Sequence, residues 1–168
     1  MKNARSLLAL SLLVIATTLA SAAPVEPTPA PTWTLKDVNG KAVSFDQYKG
    51  KVVVVDFWAT WCPPCRVEIP GYVELQKKYG KDGLVIVGMS VDAQGPGVVK
   101  KFMEANGINY QIVMADEAVQ EAFGGKEPIT GIPTTFIIDR SGKIRDRKVG
   151  AEHTDVFEQR LVQYLDAK

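Results

Sequence analysis

The sequence predicts an α/β sandwich with a mixed central sheet. Strand-like and helix-like segments alternate along most of the chain, and a hairpin followed by a helix ends it. Two apolar runs, Val52 to Phe57 and Leu84 to Val91, have the composition of strands that are buried on both faces. Together these patterns favour one domain built around a sheet, with helices packed against it.

The first 23 residues are predicted to be a secretory signal peptide outside the fold. Lys2 and Arg5 form a positive start, residues 6–20 are apolar, and Ala20-Ser21-Ala22 matches a small-residue cleavage site. The apolar run is shorter than the ~20 residues that a spanning helix needs. An uncleaved membrane anchor remains the alternative. We therefore expect the mature chain in the periplasm or another extracytoplasmic compartment, where disulfides persist.

Charge and length limit the partners and the number of domains. Removal of residues 1–22 leaves 18 of the 20 basic residues against 19 acidic ones, a net charge of −1. Without a basic stripe, nucleic acid and anionic membranes are not expected partners. A proline-rich linker at 24–32 precedes a single domain at 33–168, so folded structure should begin near Trp33. We expect this domain to be a monomer.

Turn signals predict the first elements of the domain. Residues 37–40 place Asp first and Gly fourth, the type I turn preference, so they should close an N-terminal hairpin. The strand from Val52 leads into a helix from Pro63 to about Tyr79, because proline is tolerated in a first helical turn. Pro70 lies inside that helix and should kink it.

The rest of the domain follows in the same way. After the strand at 84–91, the sequence predicts a helix around 98–103 that ends near Gly107, a short strand at 111–114 and a short helix at 118–123. Strands at 134–138 and 143–149 are joined by a second Asp-x-x-Gly turn. Phe157, Leu161 and Leu165 recur every four residues on a terminal helix.

Cys62 and Cys65 are the only cysteines, and they follow a buried strand at the start of a helix. A structural staple is disfavoured, because so short a loop gives only about 2 kcal/mol against roughly 4.7 kcal/mol for a 100-residue loop. A closed zinc site needs four ligands, and the chain adds only His153 to the pair. The pair is therefore predicted to be a redox-active disulfide that needs no cofactor.

Position assigns the two sulfurs different roles. Cys62 at the helix N-cap should form the attacking thiolate, since free N–H groups and the helix dipole favour negative charge there. Cys65 lies one turn inside and should be shielded, resolving the mixed disulfide. Pro63 and Pro64 have no N–H to give the Cys62 sulfur, so the thiolate should be only modestly stabilised. This favours a reductant over a strong oxidant.

The stretch Val55-Asp56-Phe57-Trp58-Ala59-Thr60-Trp61-Cys62-Pro63-Pro64-Cys65-Arg66, with the distant Gly131-Ile132-Pro133-Thr134-Thr135, resembles the thioredoxin superfamily. Within it, the chain is similar to the extracytoplasmic branch of TlpA-like and ResA-like thiol–disulfide oxidoreductases. This implies a three-layer sandwich with helices on both faces of the sheet, an N-terminal β-hairpin and an inserted strand and helix at 111–123. The basic-x-acid-x-Pro continuation after Cys65 also matches this branch.

The resemblance implies roles for further residues. Pro133 matches a cis-proline that faces the disulfide, which would expose the Ile132 backbone to a substrate strand. Asp56 matches a buried acid with a raised pKa that exchanges a proton with Cys65, the alternative being a solvent-facing strand end. Glu68 matches an acid linked to substrate handling, or is a solvated helix residue. Trp61 is expected to cover the disulfide as part of the binding surface.

These expectations describe an oxidoreductase that reduces protein disulfides. By resemblance, its substrates would be protein thiols and disulfides, including the haem-binding cysteines of apocytochrome c, with electrons from a membrane-embedded reductase. Two alternatives remain. A peroxide-reducing redoxin would need an isolated peroxidatic cysteine after a Pro-x-x-x-Thr-x-x context, which this chain lacks. A copper carrier would use the two thiolates as soft ligands.

Overall fold

The computed structural model describes residues 27–166. The predicted signal peptide at 1–23 lies outside the described residues. In chain order the elements are β1 (Thr28–Pro29), β2 (Thr34–Lys36), β3 (Ala42–Ser44), β4 (Val52–Trp58), α1 (Pro63–Tyr79), β5 (Leu84–Ser90), α2 (Pro96–Asn106), β6 (Gln111–Met114), α3 (Glu117–Gly124), β7 (Thr134–Ile138), β8 (Lys143–Val149) and α4 (Thr154–Leu165).

Six strands form the central sheet in the order β1-β8-β7-β4-β5-β6, and β2 and β3 form a separate hairpin. Strand β4 runs parallel to β5, which runs parallel to β6. The pairs β4–β7, β7–β8 and β1–β8 are antiparallel. The predicted mixed sheet is thus confirmed, with β4 at its centre and every residue of β4 buried.

Alternation along β4 divides the core into two layers, because successive side chains of a strand point to opposite faces. Val54 and Trp58 pack on the face that is covered by α1, α2 and α4. Val55 and Phe57 pack on the other face, against α3 and the N-terminal hairpin. Helices therefore lie on both faces, as predicted.

Aspartate side chains hold the two predicted hairpin turns. Oδ1 of Asp37 accepts from the backbone N–H groups of Asn39 at 2.8 Å and Lys41 at 2.9 Å. Oδ1 of Asp139 accepts from the N–H groups of Ser141 at 2.9 Å and Lys143 at 3.1 Å. These bonds satisfy turn N–H groups locally, which explains why the aspartates at the first positions predicted both turns.

The expected start of the fold near Trp33 is wrong by several residues. Within the predicted linker, Thr28 pairs with Ile144 of β8 and Pro29 pairs with its neighbour Lys143. The next N–H, that of Ala30, donates to the Gly142 carbonyl at 2.9 Å. Proline is compatible with an edge strand because the outer side of that strand has no partner to receive an N–H.

No helix within residues 27–166 is long and apolar enough to span a bilayer.

Candidate active site

A disulfide joins Cys62 and Cys65 at the junction between β4 and α1, and their two Cα atoms are 5.3 Å apart. Cys62 is the N-cap of α1, in extended backbone conformation, and Pro63 and Pro64 open the helix. Prolines fit here because the first N–H groups of a helix have no intrahelical partner. Both sulfurs therefore sit at the positive end of the α1 dipole.

One backbone N–H points at the Cys62 sulfur. The N–H of Cys65 donates to Cys62 Sγ at 3.3 Å. From the sequence, free N–H groups were expected at this helix start, but the Cys65 N–H was not identified as a donor to the Cys62 sulfur. An N-cap side chain commonly accepts from the third helical residue, so the N-cap assignment itself was the signal that could have found it. When the pair is reduced, this single N–H and the helix dipole stabilise a Cys62 thiolate.

The loop before β7 lies directly over the disulfide. The Ile132–Pro133 peptide bond is cis, as the resemblance implied. Cys62 Sγ lies 3.7 Å from the Ile132 carbonyl oxygen. The loop is held from both sides: the Thr134 hydroxyl donates to the Gly131 carbonyl at 2.6 Å, and the Gly150 N–H donates to the Pro133 carbonyl at 2.8 Å. Two segments that are far apart in sequence thus meet at the sulfur.

Exposure differs from the expected pattern at one point. Cys62 and Cys65 are equally buried, each 2% exposed, so Cys65 is shielded as predicted and Cys62 is shielded as well in the oxidised form. The physical reason is that the Ile132 loop covers Cys62 while the first helical turn covers Cys65. Trp61 beside them is 62% exposed.

A buried aspartate that the sequence analysis did not single out anchors the turn before the disulfide. Asp92 accepts from the Thr60 N–H at 3.0 Å and from the Thr60 hydroxyl at 2.6 Å. The Ser90 hydroxyl also donates to it, at 2.9 Å. Because Asp92 follows β5 and Thr60 follows β4, the parallel pairing of these strands brings the two residues together. Only that pairing could have identified the contact.

Asp56 is buried, as predicted, with 3% of its surface exposed. It lies between Val54 and Trp58 in the strand alternation, so its side chain points toward α1. Its pKa is raised to about 8. Burial is the largest cause, the negative charge of Glu68 adds to it, and a hydrogen bond from Thr135 opposes both effects. A carboxyl with such a pKa can hold or release a proton near neutral pH.

Glu68 is buried as well, and the interpretation as a solvated helix residue is wrong. Only 6% of it is exposed. Its Oε1 accepts from the Glu152 N–H at 2.9 Å, whereas Oε2 is buried without a hydrogen-bond partner. Its pKa is raised to about 7, chiefly by burial, and the hydrogen bond from the Glu152 N–H opposes this rise. The site thus holds two buried carboxyls, on β4 and α1, whose charges repel.

The end of β8 and the segment between β8 and α4 supply residues that were not identified from the sequence. Glu152 binds Glu68 through its N–H, and its carboxylate pairs with Arg160. The Lys148 ammonium donates to the Val149 carbonyl at 2.8 Å and lowers the pKa of Glu68. The Glu152–Glu68 contact joins residues 84 positions apart, so no local sequence pattern predicts it. In residues 27–166, no cluster of three or more His, Cys, Asp or Glu side chains could hold a metal ion.

Comparison with known proteins agrees with this geometry. Residues 27–147 match the AhpC/TSA family. The thiol–disulfide oxidoreductase ResA of Bacillus subtilis is 35% identical over 116 residues, which cover 68% of this chain and 62% of that protein. ResA of Geobacillus thermodenitrificans is also 35% identical, over 133 residues that cover 79% of this chain and 74% of that one.

A solved structure extends the agreement to the fold. The thiol:disulfide interchange protein of the thioredoxin family from Chlorobium tepidum superposes with a TM-score of 0.77 at 41% identity, covering 84% of this chain and 98% of that one. The fold described above is thus shared with a solved protein of the thioredoxin family. The chain belongs to the AhpC/TSA family, and its thioredoxin-like fold and Cys62–Cys65 pair group it with the thiol–disulfide oxidoreductases.

Proposed function

We propose that this protein reduces disulfides of extracytoplasmic proteins by cycling the Cys62–Cys65 pair between dithiol and disulfide. The observation that carries the proposal is the position of the Cys62 sulfur. It receives an N–H at the start of α1 and lies 3.7 Å from the Ile132 carbonyl. A substrate strand that pairs with the Ile132 backbone would present its own disulfide to this sulfur.

The reaction conserves thiols and electrons. The Cys62 thiolate attacks a substrate disulfide, forming a mixed disulfide and releasing one substrate thiolate. Cys65 then loses its proton and attacks Cys62 Sγ. The Cys62–Cys65 bond forms, and the second substrate sulfur leaves with the electron pair. The substrate gains two electrons and the protein loses two, so a donor must reduce Cys62–Cys65 again.

Asp56 is the proposed proton acceptor for Cys65, since its side chain lies on the face of β4 that α1 covers. Trp61, Ile132 and Pro133 are proposed to form the contact surface for the substrate. Buried Glu68 is proposed to act in substrate handling and on the cysteine pKa. The exposed Trp61 ring would cover the substrate segment.

Compartment and partners follow from the same chemistry. A disulfide-exchanging protein with a predicted signal peptide would act where protein disulfides persist. An extracytoplasmic dithiol has no cytoplasmic reductant at hand, so a membrane-embedded reductase is the proposed electron donor. The Cys-x-x-Cys-His haem-attachment site of an apocytochrome c is one proposed substrate.

The proposal is tested by trapping. Reduced Cys65→Ala protein is mixed with insulin and, separately, with an oxidised Cys-x-x-Cys-His peptide. Mixed disulfides through Cys62 should accumulate, because the resolving sulfur is missing. The matched control is the Cys62→Ala, Cys65→Ala double variant, which should form none. Equal adduct formation by the two variants, or none with either substrate, would overturn the proposal. Hydrogen peroxide consumption that depends on Cys62 and outpaces disulfide reduction would favour a peroxide-reducing redoxin instead.

A further inference from the structure

We propose that Thr135 and Tyr72 are positioning residues: their hydroxyls form a chain that orients the Asp56 carboxyl and reverses its hydrogen-bond direction when Asp56 gains or loses a proton. The inference rests on the proposed function, in which Asp56 exchanges a proton with Cys65. It assigns a part in that step to two residues that touch neither cysteine.

The chain is continuous and enclosed. Thr135 of β7 lies directly opposite Asp56 of β4 in the antiparallel register. Its hydroxyl donates to Asp56 Oδ1 at 3.2 Å. The Tyr72 hydroxyl of α1 lies 3.2 Å from the same Thr135 oxygen. The three residues are 3–4% exposed, so their polar groups depend on one another for hydrogen bonds.

Each hydroxyl has one proton to donate, which gives the chain a direction. An ionised Asp56 can only accept, so Thr135 donates to it and Tyr72 must donate to Thr135. A protonated Asp56 can donate to Thr135, whose own proton then turns toward the Tyr72 oxygen. The direction of two hydrogen bonds is thus tied to the protonation of one carboxyl. Charge-assisted bonds are the stronger kind, so the chain favours the ionised carboxyl.

Aromatic packing holds the far end of the chain in place. The Tyr72 ring packs edge-on against Phe157 of α4 at a centroid distance of 5.4 Å, and against Tyr110 at 6.4 Å. Tyr72 is two helical turns beyond Cys65 on α1, so both side chains lie on the helix face that packs against the sheet. The hydroxyl chain therefore runs from Tyr72 of α1 through Thr135 of β7 to Asp56 of β4.

The hydroxyl chain acts in the proton transfer from Cys65 to Asp56 that accompanies resolution of the mixed disulfide. Asp56 carboxylate takes the proton of Cys65 as the Cys65 sulfur bonds to Cys62 Sγ, and the substrate thiolate leaves with the electron pair. The negative charge of Glu68 on α1 raises the pKa of Asp56. Asp56 in turn raises the pKa of Tyr72 on α1 and of Tyr110, which precedes β6. Lys148 and Glu152 act on Glu68 in turn.

Carboxyl ¹³C NMR of the full-length protein with labelled aspartate tests the hydroxyl chain directly. The Asp56 resonance is assigned by its loss in Asp56→Asn, and its pH midpoint is compared among variants. Thr135→Val removes the hydroxyl, and valine has nearly the shape of threonine. Thr135→Ser keeps a hydroxyl at this position. Tyr72→Phe removes the second hydroxyl. Tyr110→Phe is the matched control, because it removes a hydroxyl from a neighbouring ring outside the chain.

The Asp56 midpoint should rise by about one pH unit in Thr135→Val, since a hydrogen bond to the charged form is lost. Thr135→Ser should restore the original midpoint. Tyr72→Phe should produce a smaller rise that disappears in the Thr135→Val background, because the two act through one chain. The pH profile of mixed-disulfide resolution should move with the midpoint.

An unchanged midpoint in Thr135→Val, or a rise in Tyr110→Phe as large as that in Tyr72→Phe, would overturn the inference. This result is separable from the fate of the proposed function. If the wild type carries out disulfide exchange through Cys62 while these midpoints stay fixed, the hydroxyl chain alone is refuted. If the midpoints move as expected and no disulfide exchange occurs, two claims are refuted together. These are the role of Thr135 and Tyr72 in resolving the mixed disulfide and the proposed function itself.

Discussion

The N–H of Glu152 donates to Oε1 of Glu68 at 2.9 Å, which ties the segment before α4 to the helix that carries the disulfide. Two residues earlier, the N–H of Gly150 donates to the Pro133 carbonyl at 2.8 Å. One short segment therefore holds both the buried acid of α1 and the loop that covers the Cys62 sulfur. A change in the charge of Glu68 would therefore act on the residue that joins α1 to this segment.

Replacement of Glu68 by glutamine should lower the pKa of Asp56 by roughly half a pH unit, because a repelling negative charge is removed. The glutamine oxygen can still accept from the Glu152 N–H, so the segment should stay in place. The Asp56 carboxyl resonance followed against pH measures the effect. Glu74→Gln, an exposed residue on the same helix, is the control and should leave the midpoint unchanged. Equal midpoints in Glu68→Gln and the wild type would contradict the prediction.

Replacement of Asp56 by asparagine should remove part of the pH dependence of stability. Its pKa is about 8 in the fold against 3.8 for the free side chain. Between these values the folded state keeps a proton that the unfolded state has released, so the free energy of unfolding falls as pH rises and levels off above about 8. Asparagine has no such proton to lose.

At pH 9 the oxidised Asp56→Asn variant should therefore exceed the wild type in unfolding free energy by several kcal/mol, on the order of 3. Near pH 4 the two should be equal. Urea unfolding at a series of pH values measures this difference. If the unfolding free energies of wild type and variant change with pH in parallel, ionisation of the buried Asp56 does not destabilise the fold and the prediction is contradicted.

Loss of the Asp92 carboxylate should destabilise the turn before the disulfide. Asp92→Ala removes three hydrogen bonds and leaves the Thr60 N–H without its partner. We expect a loss of about 2–4 kcal/mol in unfolding free energy and slower disulfide exchange, since the turn that sets the Cys62 position is released. Glu104→Ala, on the exposed surface of α2, should stay within about 0.5 kcal/mol of the wild type. Wild-type stability in Asp92→Ala would refute the role of this anchor.

Two glycines should respond to alanine in opposite directions. A Cβ on Gly71 of α1 would collide with the Thr154 side chain at the start of α4, including Cγ2 at 2.8 Å. Gly71→Ala should therefore cost about 1–3 kcal/mol. A Cβ on Gly97 of α2 meets nothing within 4 Å, so Gly97→Ala should stabilise by about 0.5–1 kcal/mol. Thermal melting compares them, and a shift of the same sign in both would contradict the packing argument.

The exposed Trp61 ring should matter for protein substrates and not for stability. Trp61 is 62% exposed, so Trp61→Ala should leave Tm within about 2 °C of the wild type. Its kcat/KM for a protein disulfide should fall about tenfold, because an exposed aromatic side chain is an effective binding anchor. The same variant acting on oxidised glutathione is the control and should lose less than about twofold. An equal loss for both substrates would assign Trp61 to the chemistry rather than to binding.

Local patterns accounted for most of the elements. The helix expected from Pro63 to about Tyr79 is α1, and the strands expected at 134–138 and 143–149 are β7 and β8. Apolar runs and Asp-x-x-Gly turns were sufficient because both act through nearby residues. Strand β1 was missed, because a proline-containing edge strand has no periodicity of its own and is defined by its partner β8.

The sequence by itself determined the redox pair, the strand–helix junction that carries it, and the buried acid in the middle of an apolar strand. Each depends on residue type and short spacing. Only the tertiary structure decided that Glu68 is buried, that the Ile132 loop covers Cys62, and that Thr135 and Tyr72 reach Asp56. Those contacts join strands and helices far apart along the chain, so their geometry exists only after the sheet has paired and the helices have packed on it.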